Sequence, residues 1–278
     1  MAGCYWPFRS FPISSDADDG ELADFLAHGG TVRALGRLWR LGPVYADDPT
    51  AQRLIRAAPE AGWTVLKRSL GSVYELDLAA LRQDGPWPST KTKRKNRWRE
   101  RRLAEDGEVR YEYFTGADWT RAQRDAMAEV EANCWLAGLE DGGDTKFQDS
   151  DARVVWEKAC SDEALAPLLF GSLMWIGTTP VAFTFGVETG DTRYYVANNY
   201  DQRFSKFGPG KLLLYADFER AAAENGIARI SWGAGDAGYK TEMGAQSGPE
   251  ILDLLFVRGK ALGALIRPLF LRGTKGSD

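Results

Sequence analysis

The sequence predicts an α/β chain, and three observations predict it. Apolar runs of strand length, Leu168–Ile176, Val181–Glu188 and Arg193–Asn198, follow one another with short breaks. A helical pattern then starts at Leu212, with Leu213, Leu214, Ala216 and Phe218 on one side and Asp217, Glu219 and Arg220 largely on the other. Gly226 closes it, and Ile227–Trp232 reads as the next strand. Strands on both sides of a helix, joined by short connections, belong to a layered α/β domain.

Taken in order, Tyr5 to Pro12 is aromatic and extended, and Glu21–Ala27 is a short helix. Leu38–Tyr45 reads as a strand and Pro49–Ala61 as a helix stopped by Gly62. Trp63–Arg68 and Val73–Leu78 read as two further strands. Gly85-Pro86-Trp87-Pro88 marks a break, and a basic helix, Lys91–Arg102, follows it until Gly107. Val109–Phe114 alternates like a strand. Asp118–Ala137 is predicted as one long amphipathic helix and Ala152–Ala164 as another. Ala164–Val187 is long and uncharged enough for a membrane span, but Pro167, Pro180 and the turn at Gly177 divide it into a β-hairpin. Glu250–Val257 is the last strand, and Ala261–Leu271 is a short helix or amphipathic tail suited to packing or to a membrane surface.

Composition narrows the chemistry. The net charge of −4 supplies no global field for nucleic acid. Cys4, Cys134 and Cys160 have no metal-type spacing, and their odd number points to a reducing compartment. His28 is the one histidine, so a histidine triad or a multi-histidine zinc site is excluded and no metal is expected. A general base must be a carboxylate, a tyrosine, a lysine or a positioned water. Ten tryptophans indicate large buried aromatics or a cavity for an apolar ligand. The N-terminus carries no recognisable signal peptide.

Between the third core strand and the helix lies a polar loop with Lys206, Phe207, Gly208, Pro209, Gly210 and Lys211. Glycines let a backbone approach a ligand, and a helix start offers free N–H groups and a positive dipole end. The loop therefore suits a phosphate or pyrophosphate; a plain left-handed turn is the competing reading. The spacing is not that of a P-loop.

The order of this loop, helix and strand, followed by Gly235-Asp236-Ala237-Gly238-Tyr239-Lys240 and Gly244, resembles the GNAT acyltransferase superfamily. Within it, the sequence is similar to the cellulose-biosynthesis-type acetyltransferases, relatives of the peptidoglycan-bridge aminoacyltransferases. The similarity covers most of the chain and is densest from Arg94 to Gly244. It implies a mixed central sheet flanked by helices, with a degenerate first GNAT-like lobe at 1–88 and an acyl-CoA-binding lobe at 89–278. It implies an acyl-CoA-dependent N-acyltransferase holding the CoA pyrophosphate on Gly208–Lys211. The family loop opens on a basic residue where Ser205 stands here, and Lys206 follows it. In this fold two strands splay apart near the loop, and the gap takes the pantetheine arm like an added strand. Asn198 and Asn199 are placed for that contact.

Acylation of an amine needs a neutral amine, donors for the oxyanion and a proton for the departing thiolate. The candidates are Asp236 as base, Tyr239 as acid toward sulfur, Lys240 for an anionic group, and Asp201. Glu131, on a stretch that relatives place at the acceptor side of the cleft, is the further candidate. A surface helix carboxylate is the plain alternative for Glu131, and an ion pair bracing the loop for Asp236 and Lys240. Cys134 and Cys160 are expected to be packing residues.

Two acceptors are open: a sphingoid base taking a long acyl chain, as in bacterial ceramide synthases of this group, and an amino sugar of a surface polysaccharide. The aromatic content, the basic helix and the apolar-basic tail favour the lipid. An inactive GNAT-fold scaffold that docks on membranes is the non-enzymatic alternative. Lys91–Arg102 reads as a solvated face, or as a surface for anionic headgroups or for phosphates of CoA or an acyl carrier. Nucleic acid is disfavoured because Trp98 is the run's one stacking group. The protein is expected to be cytoplasmic, or peripheral on the inner membrane face.

Overall fold

The computed structural model describes residues 9–83, 85–139, 145–223, 226–235 and 238–272. The first elements in chain order are α1 (Asp19–Ala27), α2 (Gly29–Leu35), β1 (Leu38–Tyr45), α3 (Pro49–Ala57) and β2 (Trp63–Asp77). Then come α4 (Leu78–Gln83), α5 (Thr90–Leu103), β3 (Val109–Thr115), α6 (Arg121–Ala132) and α7 (Ser150–Cys160). The rest are β4 (Leu169–Ile176), β5 (Thr179–Thr189), β6 (Thr192–Tyr200), α8 (Pro209–Ala223), β7 (Arg229–Ala234), α9 (Tyr239–Glu242), β8 (Gln246–Arg258) and α10 (Lys260–Arg272). The chain forms two compact units. One comprises Met1–Tyr74, Gly233–Tyr239 and Gln246–Asp278; the other comprises Glu75–Trp232 and Lys240–Ala245.

In the first unit, β1 pairs antiparallel with β8, from Leu38 opposite Val257 to Tyr45 opposite Ile251. Helix α1 starts in a capping box in which Asp18 accepts from the Glu21 N–H and Glu21 accepts from the Asp18 N–H. Its apolar face, Leu22 and Leu26, packs with Leu54 of α3, Trp63 of β2 and Phe256 of β8. The Trp63 indole donates to the Leu26 carbonyl at 3.0 Å, so the buried ring keeps its polar end satisfied. Asp253, 1% exposed, is held between Arg40 and Arg68.

In the second unit, β3, β4, β5 and β6 form an antiparallel meander, and β7 joins β6 in parallel. The sheet is therefore mixed, with helices on both faces, as the sequence predicts. Helix α6 packs on β5 and β6, and α8 packs on β4, β5 and β6. Alternation along β5 explains the layering. Phe183 and Phe185 enter the cluster of Met127, Val130, Phe147 and Trp119, while Thr184 between them faces Asp217 of α8.

Several boundaries differ from the sequence reading. The two strands expected at 63–68 and 73–78 are one strand, β2, because Gly71 absorbs the bend at φ +92 without ending the extended run. The helix expected over 118–137 starts at Arg121, where Thr120 caps it with Gln123, and ends at Ala132, giving way to a short 3-10 turn at Trp135–Gly138. The β-hairpin of Leu169–Thr189 is as expected, and among the described residues no helix is long and apolar enough to cross a membrane.

Asp217 anchors α8 to the sheet. It accepts from Ser172 at 2.9 Å, from Arg193 at 3.1 Å and from the Tyr195 hydroxyl. Burial, followed by the Asp217 charge, pushes the Tyr195 phenol well up, so it stays a donor at neutral pH. Removing one member of a buried ionic set strands the others. Asp217→Ala should cost about 3–5 kcal/mol, measured by urea unfolding.

Candidate functional site

Strands β6 and β7 pair only from Thr192 opposite Arg229 to Tyr194 opposite Ser231. Beyond that point β6 runs on to Tyr200 with its register kept by β5. The departure has a local cause. The β5–β6 register jumps between Phe185 and Gly186, leaving Val196 as an extra residue on β6. Such a bulge bends its strand and increases the twist. Gly186 permits it, since a Cβ there would lie 1.9 Å from the Tyr194 carbonyl oxygen. Asn198, on the diverging stretch, has a buried Oδ1 with no hydrogen-bond partner among the described residues.

The chain leaves β6 through a 3-10 turn at Gln202–Phe207 and reaches α8 through Gly208, whose backbone is left-handed at φ 60, ψ 55. Pro209 opens the helix, where its missing N–H costs nothing. Gly210 lies against the Tyr200 ring, with its Cβ position 3.0 Å from that ring. The Leu212 N–H returns to the Gly208 carbonyl, and the Gly210 and Lys211 N–H groups have no carbonyl acceptor among the described residues. Basic side chains surround this turn. The Arg99 guanidinium carbon is 3.7 Å from the Cβ position of Gly208. Lys206 is exposed with its ammonium 5.6 Å from the Phe207 ring, and Phe207 meets Trp98 of α5 edge-on at 6.3 Å. Lys211 pairs with Glu242 of α9. The Lys211 hydrogen bond, followed by its charge and those of Lys95 and Arg99, lowers the Glu242 pKa.

The six residues expected at the cofactor thus lie on one continuous path from β6 to α8. The expected catalytic residues are more scattered. Asp236 lies outside the described residues. Tyr239, half-buried, opens the single turn α9, a helix the sequence reading did not anticipate. Lys240 is 5% exposed and its ammonium donates to the Trp232 carbonyl at 3.1 Å. Asp201 is buried, caps the 3-10 turn through the Arg203 N–H and grips the Arg203 guanidinium. Glu131 is fully buried, so the plain alternative of a surface carboxylate does not hold. Its Oε1 accepts from the Lys146 N–H and its Oε2 from the Phe147 and Gln148 N–H groups, each at 2.8 Å. Burial raises its pKa while those three amides oppose the rise. The geometry makes Glu131 a clasp for the 146–148 segment. Cys134 is buried and Cys160 half-buried, and burial raises both thiols, Cys160 to about 11, as inert packing cysteines require.

Sequence reasoning missed Gly186, Arg99 and Glu242. Arg99 lay in view within the basic run, but only helix phase shows which cation faces the turn. Gly186 and Glu242 carried no local signal.

Residues 90–241 match the model of the acetyltransferase (GNAT) domain. Among solved structures, the chain resembles the C-terminal domain of a protein assigned as a lysylphosphatidylglycerol synthetase from Agrobacterium fabrum. That likeness has a TM-score of 0.52 and 16% identity, over 86% of this chain and 73% of that one. L-PGS from Bacillus licheniformis is similar at a TM-score of 0.54 and 14% identity, over 87% of this chain and 74% of that one. A conserved protein of unknown function from Bacteroides thetaiotaomicron gives 0.52 and 14%, over 82% and 72%. No curated protein matches. The chain belongs to the GNAT acetyltransferase family, and the family's fold implies an acyl-CoA substrate and an amine acceptor. The glycine turn with its open N–H groups and surrounding cations fits the phosphates of such a thioester.

One substitution separates clasp from base at Glu131. Glu131→Gln turns an amide NH2 toward a backbone N–H and leaves a donor unsatisfied. It should lose about 1–3 kcal/mol of stability in thermal or urea unfolding, whatever its effect on turnover.

Proposed function

We propose that the protein is an acyl-CoA-dependent N-acyltransferase of the cellulose-biosynthesis-type group that moves a long acyl chain onto the amine of a sphingoid base. The opening between β6 and β7 beside the Gly208–Lys211 turn carries the reading. It supports a thioester laid along the last part of β6, with a pantetheine amide on Asn198 and the phosphates on the turn. The reaction forms a C–N amide bond and breaks the C–S bond. The ammonium must first lose a proton, and the sulfur leaves more readily with one. Asp236 takes the first role in this reading and Tyr239 the second, with Lys240 drawing the backbone of α9 to Trp232. Asp201 acts as a positioning residue, since its carboxylate is committed to the turn that leads to Gly208.

The first unit, taken by itself, has an apolar pocket of about 750 Å³ lined by Phe11, Ile13, Leu22, Phe25, Leu26 and Leu35. Its size is that of a ligand site able to take a hydrocarbon chain. One of the similar folds is also named for the synthesis of a lipid, lysylphosphatidylglycerol.

Native mass spectrometry of the purified protein should show a copurified CoA ester with a long acyl chain. An acetyl ester would turn the acceptor toward an amino sugar, and failure to bind any CoA ester would favour the scaffold. With saturating acyl-CoA, Asp236→Asn and Tyr239→Phe should each lower turnover about 10²-fold or more. Near-wild-type turnover in both variants would remove the two assignments.

A further inference from the structure

The basic run at 91–102 has two kinds of cation on it. Lys93 pairs with Glu219 of α8 at 3.6 Å and Arg102 with Glu105 at 2.7 Å, both ion pairs of a solvated face. Lys95 and Arg99 are one helical turn apart and share a face of α5. Among the described residues neither has a carboxylate partner of its own. Arg99 instead reaches Gly208, and the α5 face is fastened there by Trp98 on Phe207. Glu242 is the acid that holds Lys211. The Lys211 and Glu242 side chains are 30% and 55% exposed, so either can change partner without unpacking the core.

We propose that Arg99 and Lys211 clamp the phosphate groups of the CoA thioester, and that Glu242 occupies the clamp as an internal anion which those phosphates displace. The inference rests on the acyl-CoA reading above and goes beyond it, naming a cation from outside the loop and a built-in competitor. The chemistry is an exchange of one anion for another. A carboxylate carries one negative charge, whereas the CoA diphosphate and 3′-phosphate carry several. Lys95 and Arg99 already act on the Glu242 charge, so an anion arriving between α5 and α8 meets at least three cations. Displacement frees the Glu242 side chain while α9 stays held by Lys240 on the Trp232 carbonyl.

Titration calorimetry on the full chain with CoA, 3′-dephospho-CoA and pantetheine tests this. Glu242→Gln should bind CoA about two- to fivefold tighter, the size of an exposed ion pair. Arg99→Ala should bind CoA about tenfold weaker, the size of a charge-assisted phosphate contact. Pantetheine, which has no phosphate, should bind equally to all three proteins. If Arg99→Ala weakens CoA and 3′-dephospho-CoA alike, the clamp holds the diphosphate; if it weakens only CoA, the clamp holds the 3′-phosphate. Glu242→Gln binding CoA no tighter than wild type, or Arg99→Ala binding it equally well, overturns the proposal. Both results can arise while wild type still binds CoA, and then the acyl-CoA reading survives. Wild type binding none of the three ligands would instead overturn that reading.

Discussion

A single close approach governs the second unit: the backbone of β5 at Gly186 against the Tyr194 carbonyl of β6. No side chain fits between them, so the position demands glycine. With glycine there, the ladder can carry an extra residue at Val196, and β6 swings away from β7 after three pairs. The residues of the proposed cofactor path from Asn198 to Lys211 lie downstream of that swing. The Asn198 oxygen without a partner among the described residues, the 3-10 turn and the left-handed Gly208 all lie along the path that β6 then takes.

The acidic side chains divide by burial, and the division bears on which of them can do chemistry. Glu131, Asp201 and Asp217 are at most 1% exposed, and each spends its oxygens on donors from the protein itself. Glu131 clasps the 146–148 backbone, Asp201 caps a turn, and Asp217 ties α8 to Ser172, Arg193 and Tyr195. A carboxylate desolvated to this degree is tolerated because its acceptors are filled, and filled acceptors cannot take a proton from a substrate without breaking the structure they hold. Glu242 is the opposite case. It is half exposed, bound to one flexible lysine, and surrounded by more positive charge than it neutralises.

Much of the second unit was legible from residues alone. The core strands were visible as apolar runs, and α8 as a helical pattern behind a glycine turn. Those signals are local: strand and helix periodicities differ, and glycine marks the positions where backbone geometry is unusual. Other features were not visible for equally definite reasons. Gly71 looked like a break between strands because a glycine reads the same whether it ends a strand or bends one. Glu131 could be read as a catalytic candidate or as a surface carboxylate because its three amide donors come from a segment fifteen residues and more away.

The amino-acid sequence by itself determined the α/β class, the family resemblance and the residues of the turn from Lys206 to Lys211, since all of these depend on neighbours along the chain. Tertiary structure alone decided which cation of α5 meets that turn, which acid holds Lys211 and which carboxylates are consumed by the fold. Those choices depend on the rotation of one helix against another and on groups brought together across more than a hundred positions, as for Arg99 and Gly208, distances over which no sequence pattern carries phase.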